Sequence, residues 1–64
     1  MKYPSDVIEG WIERCEEDIE AGNPKFTKKD VEFIESISDQ FDRKGFLTDG
    51  QIEVLERIYA RNTD

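Results

Sequence analysis

The same helix-starting device occurs twice in this chain, and it constrains the fold more than any other feature. Phe26-Thr27-Lys28-Lys29-Asp30-Val31 and Leu47-Thr48-Asp49-Gly50-Gln51-Ile52 share one layout. In each, a threonine can cap the first turn, and an acceptor side chain three residues on can reach back to the capping residue's own N–H. The apolar residues on either side staple the entry. Asp30 is the weaker partner for such a box, and Gln51 is a full one. The first helix predicted by this signal runs over 28–44 and stops at Gly45; the second runs over 49–61. Beyond the shared start, the two segments match at an offset of 21 residues: Thr27/Thr48, Val31/Ile52, Glu32/Glu53, Ile34/Leu55, Glu35/Glu56 and Ile37/Ile58. Either an old duplication or two core-facing helices with the same start would leave this pattern.

A third helix is predicted upstream, over 6–21. Ser5 is a favoured N-cap type and Asp6 sits where the helix dipole favours an anion. Gly22-Asn23-Pro24 supplies a left-handed stop followed by a residue that cannot continue the helix. At about 100° per residue, Val7, Ile8, Trp11, Ile12, Cys15 and Ile19 fall within one arc of roughly 140°. Glu9, Glu13, Glu16 and Glu20 form a narrow acidic stripe opposite it. The apolar arc of the second helix is Val31, Phe33, Ile34, Ile37 and Phe41, and that of the third is Ile52, Val54, Leu55, Ile58 and Tyr59. With only Gly45-Phe46-Leu47 between them, the second and third helices form a capped hairpin, antiparallel or steeply crossed. The expected fold is all-α, one three-helix bundle over residues 1–64, with the first helix covering the hairpin.

Sixty-four residues, 36% of them hydrophobic, furnish one thin core and leave little to enclose a substrate cavity as well. The lone Cys15 lies in an apolar arc and has no partner for an internal disulfide. No apolar run approaches the roughly 18 residues of a membrane span. Met1 to Asp6 lacks the apolar stretch of a signal peptide, so a cytoplasmic protein with no membrane attachment is the economical expectation.

Little in the sequence points to catalysis, and no enzyme is expected. There is no histidine, so the commonest general base is missing. Cys15 has no imidazole to activate it. The carboxylates lie on polar faces, where nothing apolar would raise a pKa. No glycine-rich phosphate loop is present, and no cofactor is implied. Only the stretch around Gly45 invites a metal reading. With Gly45 at the sixth position of a calcium loop, the side-chain ligands would be Gln40, Asp42, Lys44, Thr48 and Gln51. A lysine among the ligands and glutamine in place of the closing glutamate argue against calcium, which needs anionic oxygens.

Binding is therefore the expected business of the chain, through a protein partner. The net charge of −7 disfavours a grip on phosphate backbones, and Asp6, Glu9, Glu13, Glu16, Glu17, Asp18 and Glu20 face only Arg14 between Ser5 and Ala21. The stripe Glu9, Glu13, Glu16 and Glu20, with a second on the polar side of the second helix (Glu32, Glu35, Asp39 and Asp42), could meet a basic partner or mimic the phosphate rows of DNA as an inhibitor of a basic DNA-handling protein; both could equally be solubilising faces. Trp11 and Phe46, at the margins of the core, are candidate anchors or core cover, and such edge aromatics leave homodimerisation open. Lys25, Lys28 and Lys29 gather at the start of the second helix, where the dipole disfavours cations, and are candidate anion ligands or plain surface lysines. Together with Arg43 and Lys44 they define the alternative, a nucleic-acid-binding module. The two groups stand roughly 20 Å or more apart along one helix.

Residues 33–58 carry Phe33, Ser36, Ile37, Gln40, Phe41, Gly45, Leu47, Thr48, Gln51, Leu55 and Ile58 as spaced anchors. This pattern resembles a helix–loop–helix segment of phage and mobile-element proteins, some of them linked to DNA replication or recombination. The resemblance implies a docking or accessory role near such machinery. It transfers no catalytic residue and does not extend to the first helix.

Overall fold

A computed structural model describes residues 3–62, and three helices account for most of them. They are α1 (Ser5–Glu20), α2 (Lys28–Lys44) and α3 (Asp49–Asn62). All three pack around one core, giving the expected small all-α bundle.

Both threonine devices form. The Thr27 hydroxyl accepts from the Asp30 N–H at 3.1 Å, and the Asp30 carboxylate accepts from the Thr27 N–H at 3.2 Å. Thr48 and Gln51 exchange the same pair of bonds at 3.2 and 2.9 Å. The stops also work as their residues dictate. Gly22 takes φ +83°, and the N–H groups of Gly22 and Asn23 close back on Ile19 and Asp18, satisfying two carbonyls that α1 would otherwise leave open. Gly45 takes φ +77° and its N–H closes on Phe41.

The start of α1 departs from expectation. Pro4, not Ser5, is the N-cap, and no side chain caps the turn. Pro4 has extended backbone angles, and its carbonyl accepts from both Val7 and Ile8. Ser5 is already helical, so its hydroxyl cannot occupy the capping position.

The core consists of Ile8, Ile12 and Cys15 from α1, Ile34 and Ile37 from α2, Leu47 from the connection, and Ile52, Leu55 and Ile58 from α3. Tyr3, Trp11, Ile19, Phe26, Phe33, Phe41, Val54 and Tyr59 cover its edges. The matched positions Ile34/Leu55 and Ile37/Ile58 are buried in the same core on the two helices. As expected of a helix covering the hairpin, α1 packs against both α2 and α3, and approaches each more extensively than they approach each other.

A second departure concerns the facing of α1. The buried trio Ile8, Ile12 and Cys15 centres about 35° round from the middle of the expected arc, toward Ile12. Val7 is thereby left about 105° from the centre of burial, and it is 37% exposed. The acidic stripe, for the same reason, borders the core instead of opposing it.

Cys15 is fully buried, and burial, with the nearby Asp18 charge next, pushes its thiol from 9.0 up to about 11. The folded thiol holds its proton to higher pH than the unfolded one. Its contribution to stability is therefore whole below about pH 9 and is lost as pH rises toward about 11.

Polar ties fix the helices in register. Gln40 and Gln51 exchange amide hydrogen bonds at 3.0 and 2.9 Å, joining α2 to the capping box of α3. The Asn23 amide donates to the Asn62 carbonyl, tying the end of α1 to the end of α3. Asp30, whose helical position points at the core, is buried and pairs with Arg61 of α3 through the same oxygen that accepts from Thr27. One carboxylate thus serves as cap and as inter-helix tie. Asp30→Ala is expected to destabilise the domain by about 1–2 kcal/mol, lowering Tm by roughly 5–15 °C. Asp39→Ala removes only the exposed pair with Arg43 and should change Tm by a degree or two at most. Thermal melts followed by circular dichroism compare the two; equal effects would contradict the assigned role of Asp30.

Candidate functional site

The rotation of α1 decides which side chains meet across its seams. On one flank, Trp11 stands between Tyr3 and Tyr59, with ring centroids 4.9 and 5.6 Å away and the Tyr3 contact edge-on. The Tyr3 hydroxyl donates to Glu56 at 2.9 Å, and that bond to a carboxylate is the main reason the phenol's pKa is raised. Trp11 is half-buried and engaged between α1 and α3.

The other flank of α1 faces α2. Here Glu9, Glu13 and Glu16 line a shallow groove of 380 Å³, with Asp42 on the opposite wall. Ile12 and Phe41 form its floor, and the Ser38 hydroxyl donates to Glu16 at 2.9 Å across the seam. The charges are close by construction, since Glu9, Glu13 and Glu16 follow one another at helical i, i+4 and i+7 spacing. Like charges at this spacing destabilise a helix by a few tenths of a kcal/mol per pair. Among the described residues no lysine or arginine lines the groove, and none of its four carboxylates makes an ion pair. Arg14, on the same helix, is turned to Asp18. Glu20, the last member of the stripe, lines a smaller groove further along the same seam.

The basic candidates are not brought together. Lys25, Lys28 and Lys29 are exposed near the start of α2, while Arg43 and Lys44 lie at its far end. Arg43 is ion-paired with Asp39 at 2.8 Å. Phe46 is 49% exposed in the α2–α3 connection and is not among the residues packed on the core.

The residues around Gly45 are tied to one another. Gln40 and Gln51 bond each other, and Thr48 caps α3. Among the described residues no group of three or more acidic, cysteine or histidine side chains is arranged to hold a metal ion. No helix among them is long and apolar enough to cross a membrane. No protein-family model matches the chain, and no curated protein or solved structure is detectably similar to it.

Sequence reasoning placed Asp42 on an acidic side of the second helix but missed that it shares a groove with Glu9, Glu13 and Glu16, and missed the Ser38 bridge. The helical angle of Asp42 carried a signal, since it lies on the same flank of α2 as Ser38 and Glu35. Only the rotation of α1 shows what faces it. The crowding of unpaired carboxylates has a measurable consequence. Raising ionic strength from about 0.02 to about 0.5 M should raise the Tm of the wild-type domain by screening this repulsion. The double variant Glu13→Gln/Glu16→Gln should start higher, by a few tenths of a kcal/mol, and respond less to salt. A wild-type Tm that falls with salt would show that attractive pairs, not repulsion, dominate the surface.

Proposed function

We propose that this domain is a non-catalytic, cytoplasmic interaction module that engages a basic surface of a protein partner through the acidic flank of α1. The observation that carries this reading is the groove itself: Glu9, Glu13, Glu16 and Asp42 around Ile12 and Phe41, with no cation among them. A solubilising face needs only dispersed charge. Here carboxylates from two helices converge on one concavity, at some expense in stability, and a partner's lysines and arginines would relieve that repulsion. Complementary charge of this kind also speeds and orients encounter.

The alternative reading as a nucleic-acid-binding module has less support, because its cations are split between the two ends of α2 and Arg43 is engaged by Asp39. The likeness of residues 33–58 to phage and mobile-element segments would place the basic partner among DNA-processing proteins, where an acidic flank could also compete with DNA.

Affinity capture from a cell lysate tests the reading with three baits: wild type, Trp11→Ala, and a Glu9/Glu13/Glu16/Glu20→Gln variant. Proteins held by the wild type should be lost from the charge-neutralised bait and elute with rising salt. They should be kept by Trp11→Ala, provided circular dichroism shows that variant folded. Undiminished capture by the neutralised bait would overturn the proposal.

A further inference from the structure

Two concavities adjoin along the α1–α2 seam, and they share Glu16. The first holds Phe41 as its partly exposed apolar residue. The second, of 240 Å³, is the more apolar of the two; it is formed by Ile19 over the buried Ile34, with Glu16, Glu20 and Glu35 around it. The Ser38–Glu16 hydrogen bond crosses the seam between them. The seam is therefore more than a run of acidic side chains: inside a carboxylate rim it has two sockets in series, a mostly polar one that offers Phe41 and a mostly apolar one that offers Ile19.

Their spacing carries the inference. Phe41 sits beside Ile12 in the first socket, and Ile19 sits beside Ile34 in the second. Ile12 to Ile19 and Ile34 to Phe41 are each seven residues of helix, so the sockets lie about 10 Å apart. Two turns of a third helix laid along the seam cover the same distance, so residues i and i+7 of that helix would reach both sockets. The rim supplies Glu9, Glu13, Glu16 and Glu20 on the α1 side and Glu35 and Asp42 on the α2 side. From Glu9 to Glu20 the rim runs about 16 Å, roughly three helical turns.

We infer that the seam receives a basic amphipathic helix of the partner protein, with apolar residues at i and i+7 and lysines or arginines flanking them. This rests on the proposed reading of the acidic flank and specifies what that flank takes. An anionic lipid surface or a nucleic acid would be repelled by the same rim. A flexible polycation would satisfy the carboxylates but leave both sockets empty.

The test uses the isotope-labelled full chain and two synthetic lysine-rich helical peptides of identical composition. One carries leucines at i and i+7; the other has the second leucine moved to the opposite face. Amide shift changes on titration should cluster at Glu16, Ile19, Ser38 and Phe41 for the first peptide. Its affinity should exceed that of the second by about tenfold or more. Glu13→Gln/Glu16→Gln, at exposed positions, should weaken it several-fold without unfolding the domain. Equal affinities with shifts still at the seam would overturn the helix-in-groove inference and leave the acidic-flank reading standing. Shifts confined to the Trp11 and Tyr59 face, or no binding of either peptide at about 50 mM salt, would overturn both.

Discussion

Ile8, Ile12 and Cys15 are the contribution on which the packing of this domain turns, because α1 lies against both other helices more extensively than those two lie against each other. Their burial against Ile34 and Ile37 on one side and Ile52, Leu55 and Ile58 on the other is the main favourable contribution in a chain too short for a second core. A core this thin leaves little margin. The polar ties that would be minor in a larger protein, such as Asp30 with Arg61 and Gln40 with Gln51, therefore matter to which arrangement of three helices is adopted.

The facing of α1 links packing to surface chemistry. Turned toward Ile12, the helix puts Trp11 against Tyr3 and Tyr59 on one flank and delivers Glu9, Glu13 and Glu16 to the α2 seam on the other. An acidic stripe turned squarely to solvent would spread its field over bulk water. Beside the core, the same residues meet Asp42 and Glu35 across a groove that offers Phe41 and Ile19, which is a shape that a folded or folding partner segment can fill.

Much of the fold was legible because it is written in residues with one physical use. Threonine followed three residues later by Asp or Gln starts a helix, and glycine at positive φ ends one, so the bounds of α2 were readable directly and those of α1 and α3 to within one residue. Ser5 failed as a cap because the carbonyl of Pro4 already accepts the first turn's N–H groups, a backbone event that residue type does not encode. The arc of α1 was legible but its centre was not: six apolar residues over roughly 140° allow several facings, and only contact with two other helices selects one. The acidic stripe was visible for the same reason the arc was. Its neighbours Asp42 and Ser38 belong to another helix, and no local rule pairs them with Glu9 or Glu16. Arg61 was missed as the partner of Asp30 because the capping box alone explained Asp30.

The most direct test of the central packing is the reactivity of Cys15, whose thiol belongs to the buried trio of α1 and is fully buried. A thiol reagent added to the native domain near neutral pH should label it roughly a hundredfold or more slowly than the denatured chain, with the rate climbing in step with global unfolding as denaturant is added. Labelling of the native domain as fast as that of the denatured chain would mean that this face of α1 is open to water. The packing of α1 on the other two helices, on which the rest of the structure depends, would then be wrong.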